Sequence, residues 1–274
     1  MTITKENDEA YSNAAFIYNS EEIVANWIKK AEHFRTVKLK NGTAKIDISY
    51  GDSSRQKFDI FQPNAEPRGT VIFVHGGYWI DLDKSYWSHF ASGILANGYR
   101  CIIPSYDLCP TIEISGITGQ IKELLAYVLE NYAGIVSLAG HSAGGHLVSR
   151  MVSSDQWQNS ILKSHILKRL NQVVAISPIA DLRPLLKTSM NSKFNLNYEM
   201  AKKESPVFHK KINVPVTVVV GEQERPAFLS QAEFLSEAWS CSKIIAMGKH
   251  HFSVLDDFEN ERSELVNLLT KVKH

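Results

Sequence analysis

The sequence predicts an α/β fold with a mostly parallel central sheet flanked by helices, and two observations support this class. Short runs of β-branched residues recur along the 274-residue chain, and most are apolar throughout, as in strands buried on both faces of a parallel sheet. Stretches with helical periodicity lie between these runs. Alternating strands and helices are typical of a doubly wound sheet.

A helix and an antiparallel hairpin are expected ahead of the parallel strands. Residues 19–35 are predicted to form a helix in addition to those of the sheet domain, within an N-terminal helical extension of about residues 1–40. Residues 45–50 (KIDISY) and 58–61 (FDIF) alternate in polarity on either side of a Gly-Asp turn. This alternation predicts a hairpin on the edge of the sheet.

Six buried strands are expected after the hairpin. They are residues 70–75, 100–104, 135–139, 172–177, 214–221 and 243–247. Between the second and third of these, Ile117, Ile121, Leu124 and Val128 recur at helical spacing, and leucines near the end of the chain do the same. These patterns place a helix after most of the buried strands.

The connection between the fourth and fifth buried strands is longer than a crossover requires. Residues 177–213 have mixed polarity and contain three prolines, whereas a crossover needs only about a dozen residues. A small lid-like insertion is therefore expected here. Because no repeat or Pro/Gly-rich linker separates two units, residues 1–274 are predicted to form a single domain.

The composition argues against several classes of protein. Lys plus Arg is 30 and Asp plus Glu is 29, so no charge excess indicates nucleic acid or a membrane surface as a partner. The 3 cysteines lack CxxC spacing, which argues against a disulfide framework. Charged residues interrupt the N-terminal region, and no apolar run reaches the roughly 18 residues that cross a bilayer. A soluble cytoplasmic protein is expected.

The motif GHSAG at residues 140–144 contains a candidate nucleophile, Ser142. It directly follows a predicted strand and precedes a segment that can continue as a helix. A tight turn between strand and helix lifts the serine hydroxyl off the backbone, where a histidine can remove its proton. GxSxG is a weak signal in isolation, and this setting strengthens it.

The motif HGGYW at residues 75–79 follows the first buried strand. Its two glycines leave backbone amides exposed, so the amides of Gly76, Gly77 or Tyr78, together with that of Ala143, are candidate donors to an oxyanion. A plain glycine turn is the alternative interpretation.

Candidates for the acid and the base follow the last two strands. Glu222 and Glu224 come after the fifth buried strand, and His250 and His251 come after the sixth. The chain order serine, acid, histidine is that of the α/β-hydrolase triad. Glu224 and His251 are favoured, with Glu222 and His250 as the alternatives.

No metal site and no cofactor are predicted, because the chain contains neither HExxH nor HxxEH. His75 and His141 are expected to order their turns through hydrogen bonds. His146 lies one helical turn after the candidate nucleophile and is expected to be packed or partly exposed.

Four segments together resemble the kynurenine formamidase (arylformamidase) branch of the α/β hydrolases, which is near the esterases and lipases. They are HGGYW, GHSAGGH, SPIADLRPLLKTSMN and the C-terminal HHF, and the resemblance extends from Tyr50 to the last helix. It implies an α/β-hydrolase fold, with Ser142 as nucleophile and His251 as base. The family commonly uses aspartate as the acid, whereas this chain has Glu224. Glutamate can serve because the histidine requires only an oriented, ionised acceptor.

The resemblance also implies a reaction. The expected substrate is a small molecule, the formamide of an N-formyl arylamine such as N-formylkynurenine, as in tryptophan catabolism. A carboxylesterase or thioesterase that acts on small acyl esters is the alternative, and the sequence leaves a homodimer open. Tyr78 and Trp79 are expected to bind the substrate because they lie on the loop itself. Trp87 and Phe90 have a spacing that favours the core of the protein.

Overall fold

The computed structural model describes residues 3–157 and 168–271; the remaining residues of the predicted domain lie outside the described part. The strands of the described chain are β1 (Ala44–Ser49), β2 (Lys57–Phe61), β3 (Gly69–Val74), β4 (Arg100–Pro104), β5 (Ile135–His141), β6 (Leu170–Ile176), β7 (Val216–Gly221) and β8 (Ser242–Ala246). They form one sheet in the order β1-β2-β4-β3-β5-β6-β7-β8. β1 and β2 are antiparallel, β2 is antiparallel to β4, and all other neighbours are parallel. The predicted fold class and the hairpin at the edge are confirmed.

The helices connect the strands and cover both faces of the sheet. The α-helices of the described chain are α1 (Lys5–Tyr11), α2 (Ser20–Lys40), α3 (Ala91–Ala96), α4 (Ile114–Asn131), α5 (Ala143–Arg150), α6 (Asn191–Phe194), α7 (Tyr198–Glu204), α8 (Pro226–Trp239) and α9 (Glu264–Thr270). Short 3-10 turns add to them, among them Ala14–Phe16 and Ser253–Glu259. None of these helices is both long and apolar enough to cross a bilayer.

Strand β3 shows why the apolar runs lack alternation. Ile72 and Val74 belong to one buried cluster, whereas Val71 and Phe73 belong to a second cluster. Successive side chains of a strand point to opposite faces, so the two clusters lie on the two faces of the sheet. Both faces are covered, and positions 71–74 are therefore all apolar.

The long connection between β6 and β7 contains the short helices α6 and α7 and two 3-10 turns. Its residues pack against α1 and α8, and it places Leu182, Leu185 and Phe194 in a buried cluster of the domain. This insertion is therefore a packed part of the core.

Candidate active site

The predicted site residues lie at one edge of the sheet. Ser142 directly follows β5, Glu224 follows β7, and His251 follows β8. Because these strands are parallel, their carboxyl ends meet at the same edge, where open α/β sheets bind their ligands.

Ser142 occupies a strained turn between β5 and α5. Its backbone angles are φ 57° and ψ −116°, and its amide donates to the carbonyl oxygen of Ile176 at 2.8 Å. The start of α5 passes close beneath β3, since a Cβ atom on Gly144 would collide with the carbonyl oxygen of Val74. A glycine is required at this position, and the turn holds the serine at the edge of the sheet.

His251 and Glu224 form a buried pair. Nδ1 of His251 lies 2.7 Å from Oε2 of Glu224. The other carboxylate oxygen accepts the amide of Gly221 at 3.0 Å and the hydroxyl of Ser177. Burial opposes ionisation of Glu224, but the charge and hydrogen bond of His251 and the other two donors lower its pKa below the ordinary value. An ionised acceptor on Nδ1 leaves Nε2 as the nitrogen that can take up a proton.

The two alternative residues make other contacts. Oε2 of Glu222 accepts the amide of Gly248 at 2.8 Å, on the exposed surface. Nδ1 of His250 accepts the amides of Phe252 and Ser253, each at 3.2 Å. Both side chains cap turns, and neither contacts the His251–Glu224 pair through a hydrogen bond.

The loop after β3 lies directly against Ser142. A Cβ atom on Gly76 would be 3.1 Å from Cβ of Ser142. Gly77 has a φ of 100° and Tyr78 has a φ of 49°. Among the described residues, the amides of Gly76, Gly77, Tyr78 and Ala143 donate to no protein group. They are free to donate to an oxygen that develops negative charge beside Ser142.

Two buried histidines hold the surrounding turns. Nδ1 of His75 lies 2.7 Å from the carbonyl oxygen of Gly76, and the Tyr106 hydroxyl donates to the His75 carbonyl at 2.8 Å. Burial lowers the pKa of His75 to about 4, so it stays neutral near pH 7. Nε2 of His141 lies 2.9 Å from the carbonyl oxygen of His251 and so connects the turn at Ser142 to His251.

Trp79 requires a correction. It does not line the cavity at the active site, because its fully buried ring packs edge-on against His146 and Phe194 at 5.1 and 5.6 Å. Trp79 and the preceding Tyr78 both have positive φ, and their side chains diverge. Of these two residues, Tyr78 alone lines the cavity, and its hydroxyl donates to the carbonyl oxygen of Tyr11.

Ser142 and His251 open into a cavity of about 900 Å³. Aromatic side chains form much of its wall: Tyr11, Phe16, Trp27, Tyr78, Tyr86, Trp87 and Phe252. Trp87 was expected in the core; it is 2% exposed and nonetheless borders the cavity, whereas Phe90 lies in the core as expected. The site is therefore largely apolar and aromatic, as small-molecule pockets usually are.

The roof of the cavity comes mainly from the N-terminal segment, here residues 5–16. Most of this segment borders the cavity, whereas the insertion expected to act as a lid contributes only Ser189 and Met190. The sequence predicts a helical extension here and gives no direct indication that it contributes to the site. A threonine followed by acidic residues is a typical start of a helix, and Thr4 is such a residue. Its hydroxyl caps α1 by accepting the amide of Asn7, and Glu6 and Asp8 lie in the first turn.

Several contacts fix this roof. The ring of Tyr11 packs edge-on against Phe228 at 6.0 Å, and its hydroxyl accepts from Nε2 of Gln231 at 2.9 Å. The guanidinium of Arg225 donates to the carbonyl oxygen of Glu9 at 3.1 Å and lies 3.6 Å from the ring centroid of Phe16. The first and last thirds of the chain thus meet over the site.

In the described residues, no group of three or more His, Cys, Asp or Glu side chains is arranged to hold a metal ion. His146 is used structurally, since its Nε2 lies 2.7 Å from the carbonyl oxygen of Glu204. Burial lowers the pKa of His146 to about 3.

Comparison with known proteins supports the resemblance seen in the sequence. The chain is 26% identical to a kynurenine formamidase of Danio rerio, over 85% of this chain and 86% of that protein. It is 23% identical to a kynurenine formamidase of Drosophila melanogaster, over 88% of this chain and 86% of that protein.

Solved structures extend the comparison. A candidate thioesterase of Silicibacter sp. TM1040 is 44% identical, with a TM-score of 0.92 over 98% of this chain and 100% of that one. Esterase B of Lactobacillus rhamnosis is 18% identical, with a TM-score of 0.65 over 90% of this chain and 93% of that one, and shares the fold. The BD-FAE family model matches residues 58–239. That match spans more than half of the chain, which therefore belongs to the BD-FAE family and is a hydrolase with the α/β-hydrolase fold.

Proposed function

We propose that this enzyme removes a small acyl group from its substrate through a Ser142–His251–Glu224 triad, and that the acyl group is the formyl group of an N-formyl arylamine such as N-formylkynurenine. The observation that carries this proposal is the 2.7 Å contact between His251 and Glu224 at the cavity that also contains Ser142. A histidine held in this way by an ionised carboxylate is the base that a serine nucleophile requires.

The proposed reaction has two halves. Nε2 of His251 takes the proton of the Ser142 hydroxyl while Oγ attacks the formyl carbon, and the C–N bond breaks as His251 returns the proton to the leaving nitrogen. The free arylamine departs and leaves a formyl ester on Ser142. Water, deprotonated by His251, then attacks this ester and releases formate and the free serine.

The unpaired amides beside Ser142 would act on the tetrahedral intermediates. Each intermediate carries a negative oxygen, and the amides of Ala143 and of the loop at Gly76–Tyr78 would donate to it. Removing one such donor typically costs about 3 kcal/mol of transition-state stabilisation. The strained turns at Ser142 and at Gly77–Tyr78 would therefore serve the reaction, because they keep these amides from donating to other groups of the protein.

Two observations support an arylamine leaving group. The cavity wall is rich in aromatic side chains, including Trp27, Trp87 and Phe252, and such walls favour flat aromatic ligands. The kynurenine formamidases of Danio rerio and Drosophila melanogaster match most of the chain, and their names specify this reaction.

A thioesterase or carboxylesterase is the second candidate. It is favoured by the Silicibacter structure, which is 44% identical to this chain and is described as a candidate thioesterase. The same triad and the same amides would act on an ester, because only the leaving atom differs.

Steady-state kinetics distinguishes the two candidates. We would compare kcat/KM for N-formylkynurenine, p-nitrophenyl acetate and a short-chain thioester, with Ser142→Ala as the inactive control for all three. The formamidase proposal predicts that N-formylkynurenine has the highest kcat/KM. A preference of several orders of magnitude for the ester or the thioester would reject it.

A covalent probe tests the nucleophile independently of the substrate. An aryl phosphonate that reacts with active serines should add one equivalent to the wild-type enzyme, and peptide mass spectrometry should locate the adduct on Ser142. An adduct of equal yield on Ser142→Ala would show that the nucleophile lies elsewhere.

A further inference from the structure

Ser177, the first residue after β6, has a strained backbone and a buried hydroxyl. Its φ is 47°, in the left-handed region that residues other than glycine seldom adopt. The residue is fully buried, and its hydroxyl donates to Oε1 of Glu224. Glycine would adopt this angle without strain but has no hydroxyl to donate. A strained residue that persists beside an active site is a candidate for a role in it.

The β6 turn, here residues 176–178, connects the two strands on either side of β6. β6 lies between β5 and β7 in the sheet. The carbonyl oxygen of Ile176 accepts the amide of Ser142 at 2.8 Å. The amide of Ser177 donates to the carbonyl oxygen of Val219 on β7 at 2.7 Å. Two adjacent residues thus contact both the turn at Ser142 and the strand that leads to the acid.

Helix α5 limits the movement of the β6 turn. A Cβ atom on Gly145 would lie 3.0 Å from Cα of Pro178 and 3.1 Å from the carbonyl oxygen of Ile176. Contacts this close leave the turn no room to shift toward α5, because the interior is tightly packed. The Ser177 hydroxyl therefore reaches Glu224 from a fixed position.

The carboxylate of Glu224 is held from two directions. Gly221 donates to Oε1 at 3.0 Å and belongs to the same turn as Glu224, so its amide moves together with the acid. Ser177 follows a neighbouring strand, and its hydroxyl fixes the carboxylate relative to the rest of the sheet. A glutamate has one more rotatable side-chain bond than an aspartate, so a loosely held carboxylate would exchange among more rotamers.

We propose that Ser177 is a positioning residue for the triad: its hydroxyl fixes the carboxylate of Glu224 against the β6 turn and so holds the His251–Glu224 pair at its place beside Ser142. This inference rests on the proposed function, since it assumes that the three residues act together. Without the hydroxyl, the carboxylate keeps the amide of Gly221 and can rotate away from His251. The same hydroxyl is one of the donors that lower the pKa of Glu224.

The test compares Ser177→Gly with Ser240→Gly. Ser240 has the same φ of 47° and lies exposed after the end of α8. Glycine relieves the backbone strain at both positions. Of the two variants, Ser177→Gly alone removes a donor from Glu224. Ser177→Ala completes the set, because it removes the same donor and retains the strain.

Ser177→Gly and Ser177→Ala should each lower kcat for p-nitrophenyl acetate by about tenfold, as expected for the loss of one hydrogen bond to a charged group. KM should stay within about twofold of the wild-type value, because Ser177 does not line the cavity. Ser240→Gly should leave both constants unchanged. Circular dichroism at the assay temperature establishes that each variant is folded, so that a residue which merely supports the fold would leave kcat unchanged.

A spectroscopic readout follows the His251–Glu224 pair without any substrate. The proton between Nδ1 of His251 and the carboxylate should give a proton resonance far downfield of the ordinary amides, because the hydrogen bond is charge-assisted. Isotope-labelled histidine assigns it to an imidazole nitrogen, and its loss in Glu224→Gln assigns it to this pair. In Ser177→Gly the resonance should shift upfield or broaden, whereas in Ser240→Gly it should stay as in the wild-type enzyme.

Three outcomes would overturn the positioning role. An unchanged kcat or an unchanged resonance in folded Ser177→Gly would show that the hydroxyl does not hold the acid. An equal loss of kcat in Ser240→Gly would show that a looser backbone causes the effect. A failure of the proposed function looks different, because Glu224→Gln would then retain its activity while the resonance still responds to Ser177→Gly.

Discussion

Glu224 is buried, and yet its carboxylate is the acceptor of three hydrogen bonds. His251, the amide of Gly221 and the hydroxyl of Ser177 donate to it, so no carboxylate oxygen is left without a donor. A buried charge is tolerated when it is paired and hydrogen-bonded in this way. Glu222, two residues away, is exposed and capped by a single amide. The two glutamates offer a matched pair for testing the acid of the triad.

Glu224→Gln should lower kcat by about 10³ to 10⁴-fold, because an amide favours the wrong tautomer of His251 and does not stabilise its protonated form. Glu222→Gln should change kcat by less than about threefold, since its contact with Gly248 is a surface turn. Both are measured as kcat on p-nitrophenyl acetate, after circular dichroism shows that each variant is folded. The reverse order of effects would transfer the role of the acid to Glu222.

His89 makes the stability of the protein depend on pH. It is buried, neither ring nitrogen has a partner, and burial together with Lys30 and Arg35 lowers its pKa from 6.5 to about 3. As the pH falls below about 6.5, the unfolded chain binds a proton that the folded protein does not. His89 alone should therefore make the free energy of unfolding decrease from about pH 6.5 toward about pH 3 by on the order of 1 kcal/mol per pH unit, in addition to the same effect from the buried His75 and His146.

His89→Phe should make this decrease shallower, whereas His33→Phe, at an exposed position of α2, should leave it unchanged. Urea unfolding at several pH values between about 4 and 7 measures the slope. If both variants retain the slope of the wild-type protein, His89 does not cause it.

The positions of the triad candidates follow from sequence because each stands within about five residues of the end of a strand, in a fixed order along the chain. The direction of a single side chain is harder to predict. Tyr78 and Trp79 look equivalent in sequence. In the structure both have a positive φ, and the resulting path of the backbone turns the Tyr78 side chain to the cavity and the Trp79 side chain to the core. Backbone angles of this kind depend on the packing of the whole loop and have no sequence signal in tyrosine or tryptophan.

At the scale of elements, local patterns predict the strands well. The strand predicted at residues 100–104 is β4 in full, and the other buried strands agree with the structure to within a few residues. The roof over the cavity could not be predicted in the same way. Helix α1 is short and only weakly patterned, and its role depends on long-range contacts with Arg225 and Gln231.

Arg225→Ala should loosen the roof while leaving the sheet intact. The variant loses the hydrogen bond to the Glu9 carbonyl and the contact with the Phe16 ring. Hydrogen exchange of the amides in residues 5–16 should become about tenfold faster, which corresponds to the loss of roughly 1.4 kcal/mol of local stability. Mass spectrometry of peptic peptides measures the exchange.

Arg262→Ala is the control, because Arg262 lies on the surface and its side chain is 89% exposed. It should leave the exchange of residues 5–16 unchanged. If Arg225→Ala also leaves this exchange unchanged, other contacts suffice to hold the roof.

At the scale of the whole molecule, Arg150 connects α5, the helix that follows Ser142, to the insertion. Its fully buried guanidinium makes two hydrogen bonds to Asp155, at 3.0 and 2.7 Å, and lies 3.4 Å from the carboxylate of Glu204 on α7. The hydroxyl of Thr118 on α4 donates to the same carboxylate at 2.9 Å. Three helices thus meet at one buried cluster of charges.

Arg150→Met should lower the free energy of unfolding by about 3 to 5 kcal/mol, because it leaves Glu204 buried without its positive partner. The double variant Arg150→Met with Glu204→Met should recover part of this loss, since the unpaired charge is then removed. Urea unfolding monitored by tryptophan fluorescence measures both. A loss of less than about 1 kcal/mol in the single variant would show that the cluster is not needed for stability.

The roof of the cavity also has a consequence for the order in which the enzyme is completed during synthesis. The contacts of Glu9 with Arg225 and of Tyr11 with Gln231 join residues 216 and 220 positions apart. A ribosome that has finished the turn at Ser142 has not yet made the partners that hold this earlier segment over it. Contacts between such distant residues form slowly. The nascent chain therefore passes through a stage in which Ser142 is present while the cavity still lacks its roof.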